Sequence, residues 1–262
     1  TLYDENGRVW QPRNTGRSRL GEMVDLRWAL TNSNNWISAR IIDRLSPAEL
    51  VKRMHSYGIT NRLPAVKSIA LGPCEVSVKE MATAYSAFAN GGMRSDPVYV
   101  TAIADANGNI ISDFAPSQTE VITRKGYYRI LSVLLNVVDG GTGNRLRRPP
   151  YSITAQTGGK TGTTNDNADG WFMAFTPELV SATWVGGEER YIHFNSMAQG
   201  QGASMALPIY GKYIRRVYDD PTLPYDQDAR FHFPAGVDLC GGEGVAAEEE
   251  QTVDEAISGA FD

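Results

Sequence analysis

The sequence has 262 residues, the size of one large domain or two ordinary ones. Its 42% hydrophobic and 21% charged content excludes a disordered, collagen-like or disulfide-scaffold chain. The net charge of −5 averages two unlike regions: residues 241–262 hold seven acids (Glu243, Glu248, Glu249, Glu250, Asp254, Glu255, Asp262) and no Lys or Arg, which leaves residues 1–240 at +2. A nearly neutral body argues against a nucleic-acid binder driven by phosphate neutralisation. The acidic end reads as a solvated tail.

In chain order, Thr1 stands in a polar stretch with no signal-peptide pattern, and a processed or truncated product is expected. No run approaches the roughly 20 consecutive apolar residues of a transmembrane helix. Ser46, Pro47, Ala48 and Glu49 form a capping box with proline at the first helical position. Leu50, Val51 and Met54 follow, and Gly58 stops the helix. Ser77 to Glu80 repeat the box before an Ala-rich run closed by Asn90, Gly91 and Gly92. Ile130, Leu131, Leu134, Leu135 and Val138 recur at helical spacing up to Gly140.

After Pro149 and Pro150 the period changes. Residues 152–164 read as a strand, in which Gly158 and Gly159 imply a bulge or a close backbone approach. Two β-rich runs, 170–175 and 179–185, are joined by a short turn and predict an antiparallel pair. Tyr191, His193 and Phe194 are expected in a mobile β-rich segment. A last helix is expected over 203–218 from the recurrence of Met205, Leu207, Ile209, Tyr213, Ile214 and Val217. Helices first, strands next and a helix last give an α+β class: an antiparallel sheet flanked by helices, with a mainly helical subdomain. The organisation expected is a domain over 1–218 and a C-terminal extension with an acidic tail over 219–262.

Only Cys74 and Cys240 are present, without Cys-x-x-Cys, and His55, His193 and His232 are far apart. No zinc spacing exists, no metal or organic cofactor is implied, and pairing of the two cysteines stays open.

The densest chemical feature is Gly158 to Thr164, a lysine among glycines and hydroxyls. A phosphate loop would need glycine at 154, which is Thr, and a helix after Lys160, where Thr163 to Asn167 favour strand and turn. The alternative is a strand that binds a carboxylate. Lys160 supplies charge, Thr161 and Thr163 supply hydroxyl donors, and Gly162 removes a side chain that would block a ligand along the strand edge. Lys-Thr/Ser-Gly arises by chance in roughly one chain in ten of this length, so the tripeptide needs its surroundings. The second candidate is Ser33 with Asn35, which can offer a hydroxyl for proton relay and an amide for carbonyl recognition from one loop. Its competing reading is a helix cap.

Together, and in their surroundings, these motifs carry a resemblance. Lys160 to Thr164, preceded by Gly141, Thr142 and Gly143 and followed by Asp169, Gly170, Trp171 and Phe172, resembles the penicillin-binding transpeptidase domain of bifunctional (class A) penicillin-binding proteins. The same holds for Trp10, Pro12 and Asn14, for Leu26, Arg27, Ala29, Leu30, Ser33 and Asn35, and for residues from Ala70 through Val76 to Gly91. The likeness runs over about residues 8–218.

The resemblance implies a penicillin-binding/β-lactamase-like fold and a serine acyl-transfer site built from Ser-x-x-Lys, Ser-x-Asn and Lys-Thr/Ser-Gly. By that likeness the catalytic residues are Ser33 (proton transfer), Asn35 (substrate amide) and Lys160 (positive potential). Thr161, Gly162, Thr163, Thr164 and Trp171 would bind substrate, and the Thr163 N–H would be one oxyanion donor. The implied activity is D,D-transpeptidation in peptidoglycan cross-linking. The implied partners are D-alanyl-D-alanine stem peptides and β-lactams, with no nucleic acid.

The sequence departs from the family in one respect: no serine is followed by lysine at the third position. The nucleophile is therefore expected upstream, on a companion N-terminal fragment, with the fold incomplete at its N-terminus and this chain alone inactive. A membrane anchor and a glycosyltransferase domain are expected in the parent, which would act at the periplasmic face of the inner membrane. The competing functions are a noncatalytic module binding peptidoglycan or β-lactams and a D,D-carboxypeptidase. A β-lactamase would need a deacylating base, and no residue stands out as one. Asn144 and Arg145 read as turn residues, and Trp184 as core.

Overall fold

A computed structural model describes residues 2–15, 19–237 and 239. A short ribbon pairs β1 (Leu2–Tyr3) with β2 (Val9–Trp10). Helices α1 (Leu26–Thr31), α2 (Asn35–Arg44), α3 (Pro47–Ser56) and α4 (Val78–Ala89) follow. Each begins where a side chain satisfies first-turn N–H groups that have no partner within the helix. Asp25 accepts from Trp28, Asn34 from Trp36 and Ile37, Ser46 from Glu49, and Ser77 from Glu80. At Ser77 the Glu80 carboxylate returns the bond and completes the capping box.

Glu80 also accepts from the Thr60 and Asn61 N–H groups and the Thr60 hydroxyl. Burial alone would raise its carboxyl, but the bonds from Ser77, Thr60 and Asn61 outweigh it and hold the group down at about 2. One carboxylate thus ties the start of α4 to the segment after α3.

Two ribbons, β3 (Met93–Ser95) with β6 (Gln118–Glu120) and β4 (Ala102–Ala104) with β5 (Ile110–Asp113), separate α4 from α5 (Arg124–Asp139). The strands β7 (Gly158–Thr163), β8 (Asp169–Phe175) and β9 (Val180–Gly186) form an antiparallel sheet in that order. Short helices α6 (Met197–Gly200) and α7 (Gly202–Met205) lead into α8 (Leu207–Asp219). The architecture is α+β, as the order of periods predicts.

Three expected elements differ. The strand read over 152–164 forms only from Gly158, because the Ile153 and Ala155 carbonyls are taken by the Arg147 guanidinium and Ser152 adopts φ 48°. The last helix is split into α7 and α8, with Pro208, which lacks an N–H, in the first turn of α8. The segment holding Tyr191, His193 and Phe194 forms no strand: the Phe194 N–H donates to the Asn167 carbonyl, and its own carbonyl accepts from Asn167 Nδ2.

Strand alternation decides what the sheet carries. Directly paired residues share a face, so Gly159 with Ala174 and Thr161 with Phe172 look one way. Phe172 packs there on Tyr210 of α8, ring centroids 5.5 Å apart, in a core with Leu207, Ile214 and Leu146. Gly158 with Phe175, and Lys160 with Met173, look the other way. Phe175 lies there among Phe88 and Tyr85 of α4, with Leu131, Leu134 and Leu135 of α5 in the same cluster. A Cβ at Gly158 would fall 2.4 Å from the Phe175 ring, which explains that glycine without any ligand.

Beyond α8 the chain returns across the body. The Asp226 N–H donates to Glu178, the Phe231 N–H donates to Gln156, and Arg27 of α1 donates to the Leu239 carbonyl at 2.7 Å. Phe231 packs edge-on to Phe175 and Phe233 lies against Tyr128. The acidic tail and Cys240 lie outside the described residues.

Candidate active site

Helix α1 ends at Thr31 and α2 starts at Asn35, so Ser33 sits in the connection between them. The cap reading of this motif falls on its middle residue: Asn34 is the N-cap of α2. The Ser33 hydroxyl is therefore free of capping duty. Its backbone adopts φ 53°, a left-handed conformation uncommon outside glycine. Lys160 of β7 donates from Nζ to Ser33 Oγ at 2.7 Å and to the Thr161 carbonyl at 2.9 Å. Two motifs 127 residues apart in the chain thus meet through one hydrogen bond.

Burial pushes the Lys160 ammonium down from 10.5 to about 8, since among the described residues no carboxylate compensates the lost water. The amine remains mostly protonated at neutral pH and donates to Ser33. Having accepted that bond, Ser33 keeps its own proton for another acceptor.

The Thr161 and Thr142 hydroxyls share one hydrogen bond of 2.7 Å, in which either can donate. Thr142 belongs to the turn after α5, and its N–H reaches the Thr31 carbonyl at 3.3 Å. Thr163 is exposed, and its hydroxyl oxygen accepts the Gly202 N–H at 2.9 Å. Thr164 is engaged locally: its hydroxyl and N–H bond the Asp169 backbone across the turn into β8. Gly162 stands opposite Trp171, whose side chain a Cβ would meet at 3.2 Å. The glycine thus has a cross-strand reason beside the open edge expected for a ligand. Trp171 is half-buried and lies 6.5 Å from Trp184, its direct partner on β9.

Asn35 is held from another direction. Its N–H donates to Asn14 Oδ1 and its carboxamide donates to the Arg13 carbonyl, both at 2.7 Å. The structure brings Ser33, Lys160 and Thr161 into one connected cluster, with Asn35 two residues along and fixed by the 11–15 segment. Sequence reasoning gave no role to Asn14, Thr142 or Gly202. Asn14 and Thr142 carried a signal, as members of the resembling motifs, whereas nothing local marks Gly202.

A separate open pocket of about 510 Å³ is lined by Asp139, Arg147, Ser152, Gln156 and Arg230. The Arg147 guanidinium in it is spent on Asp139, Ile153 and Ala155. Among the described residues no group of three or more His, Cys, Asp or Glu is placed to hold a metal ion, and no helix is long and apolar enough to cross a membrane.

Residues 2–188 match the family described as penicillin binding protein transpeptidase domain. Penicillin-binding protein 1A of Neisseria meningitidis serogroup A is 32% identical over 245 residues, covering 91% of this chain and 29% of the relative. Penicillin-binding protein 1A of Rickettsia typhi is 31% identical over 241 residues, covering 82% of this chain and 30% of the relative. The chain thus spans under a third of the length of these relatives. The crystal structure of penicillin-binding protein 1A from Haemophilus influenzae superposes with a TM-score of 0.69 at 25% identity, over 86% of this chain and 38% of that one. The PonA1 protein of Mycobacterium tuberculosis in complex with penicillin V shares the fold, with a TM-score of 0.65 at 20% identity over 85% of this chain and 62% of that one.

Proposed function

The chain belongs to the penicillin-binding-protein transpeptidase domain family, and from that premise we propose that it supplies the substrate-gripping and proton-relay half of a serine acyl-transfer site in a D,D-transpeptidase of peptidoglycan. The observation that carries the proposal is the 2.7 Å bond from Lys160 to Ser33. It couples a desolvated cation to a hydroxyl whose own proton stays available.

In the proposed reaction the nucleophilic hydroxyl belongs to a Ser-x-x-Lys segment, a motif absent from this sequence. Its oxygen attacks the penultimate D-Ala carbonyl of a stem peptide as its proton passes to the lysine of that segment. The nitrogen of the terminal D-Ala leaves as an amine after taking up a proton, for which Ser33, replenished through Lys160, is the donor. An amine from a neighbouring stem peptide then attacks the acyl ester, gives up a proton that returns to Lys160 through Ser33, and releases the serine, which takes its proton back from the lysine of its own segment. Asn35 binds the substrate amide. Thr161 and Thr163 donate to the terminal carboxylate, with Lys160 raising the local potential, and the Thr163 N–H serves as an oxyanion donor. A donor of that kind contributes about 3 kcal/mol to lowering a barrier. Gly162, Thr164 and Trp171 shape the strand edge on which the peptide, or a β-lactam mimicking it, lies.

The companion segment, a glycosyltransferase domain and an anchor holding the protein at the outer face of the inner membrane belong to the same proposal. A second reading, a noncatalytic module binding the same ligands, is favoured by the missing Ser-x-x-Lys alone. Labelling with a fluorescent penicillin separates the two. The chain alone is expected to remain unlabelled, and the chain assembled with a segment bearing Ser-x-x-Lys to become labelled, with Lys160→Met greatly slowing the reaction. Labelling of the chain alone, or no labelling of the assembly, would overturn the enzyme reading as stated.

A further inference from the structure

A carboxylate accepts hydrogen bonds and donates none, so a site that grips it needs hydroxyl protons aimed at it. A lone threonine hydroxyl rotates, and fixing its proton costs entropy at each binding event. Thr161 is not alone: its hydroxyl lies 2.7 Å from that of Thr142, a full-strength O–H···O bond. Each hydroxyl has one proton and can accept as well as donate. Within such a pair one proton is consumed internally and one remains to be donated outward. Both residues are half-buried, so a ligand can reach the outward proton.

The turn that presents Thr142 is itself pinned. Gly141 packs so tightly on the end of α1 that a Cβ would stand 2.4 Å from the Thr31 carbonyl oxygen. The Gly143 N–H donates to the Val137 carbonyl at 2.9 Å, and Asn136 donates to the Thr31 hydroxyl at 3.0 Å. This turn therefore touches both halves of the site, Thr31 two residues before Ser33 and Thr161 one residue after Lys160. Thr163 is arranged similarly. Its oxygen accepts the Gly202 N–H, which leaves its proton outward.

We propose that Thr142 is a positioning residue of the carboxylate subsite: in the liganded site its hydroxyl donates to Thr161 Oγ1 and so directs the Thr161 proton at the terminal carboxylate of a D-alanyl peptide. The inference rests on the carboxylate-binding reading of β7, and the test separates the two. Binding of acetylated L-Lys-D-Ala-D-Ala and of the same peptide ending in a carboxamide is measured by NMR titration of the chain. The unmodified chain is expected to prefer the acid. Thr142→Val, which keeps the shape, and Thr142→Ala, which adds no bulk, are expected to weaken acid binding about tenfold, the scale of one hydrogen bond to a charged group. Amide binding is expected to stay within twofold, and Thr142→Ser is expected to retain the acid preference. Full acid preference in the valine and alanine variants would overturn the role of Thr142 while leaving the subsite reading intact. Equal affinity of the unmodified chain for both peptides would overturn the subsite reading and this proposal with it.

Discussion

Replacing Lys160 with methionine removes a largely desolvated cation to which no described residue supplies a counter-ion. The native amine titrates at about 8 and the unfolded one at 10.5. Below pH 8 both states are charged, and the native state bears the desolvation cost in full. Between those values the native chain has released its proton while the unfolded chain still holds one, so stability rises with pH across that window and levels off above 10.5. The gap corresponds to about 3 kcal/mol. Methionine fills a similar volume and does not titrate. It also leaves Ser33 Oγ without its donor, a loss of about 1 kcal/mol that does not depend on pH. Urea unfolding at fixed ionic strength from pH 7 to pH 10 measures the difference between the two chains. The unmodified protein is expected to gain about 2 kcal/mol or more on Lys160→Met over that range. A difference that stays flat from pH 8 to pH 10 would refute the desolvated state of Lys160, and with it the reasoning that couples this cation to Ser33.

Three further outcomes are expected. Glu80→Gln loses acceptor strength for the Ser77, Thr60 and Asn61 donors and is expected to cost about 2 kcal/mol at pH 7. Because the native carboxyl is held at about 2, the stability it contributes is present above its unfolded value of 4.5 and lost as pH falls through about 2, so acid unfolding curves of the two chains should converge in that window. Gly202→Ala would drive a Cβ to 2.2 Å from the Gly162 carbonyl oxygen and 2.6 Å from that of Trp171. It is expected to lose about 2 kcal/mol in denaturant unfolding and to weaken the acid preference through Thr163. Phe231→Ala removes the ring seated on Phe175 and is expected to cost about 2 kcal/mol; hydrogen exchange of α5 amides, unchanged from the parent chain, would contradict a fastening role for residues 226–237.

The helices were readable because their signals are local. A cap acts over three residues, so Ser46 with Glu49 and Ser77 with Glu80 announced α3 and α4, and the glycines after Ala89 and Asp139 marked where helices stop. The strands β8 and β9 followed from alternation and a short turn. The start of β7 is not legible in the sequence because Arg147, a residue outside the strand, takes the carbonyls that a ladder would have used. Gly158 and Gly162 are visible in the sequence, but the Phe175 ring and the Trp171 Cβ that stand against them come from the neighbouring strand.

By itself the sequence determined which side chains were available for chemistry: a lysine among hydroxyls on a strand, a serine and an asparagine two apart, and no Ser-x-x-Lys. Tertiary structure alone decided that Lys160 meets Ser33, that Asn34 rather than its neighbours caps α2, and that Thr142 and Gly202 hold the two threonine hydroxyls. The physical reason is range. Propensity and capping are settled within a turn of backbone, whereas a hydrogen bond between residues 127 positions apart exists only after the sheet has buried Phe172 and Phe175 on its two faces and so fixed which way each residue of β7 points.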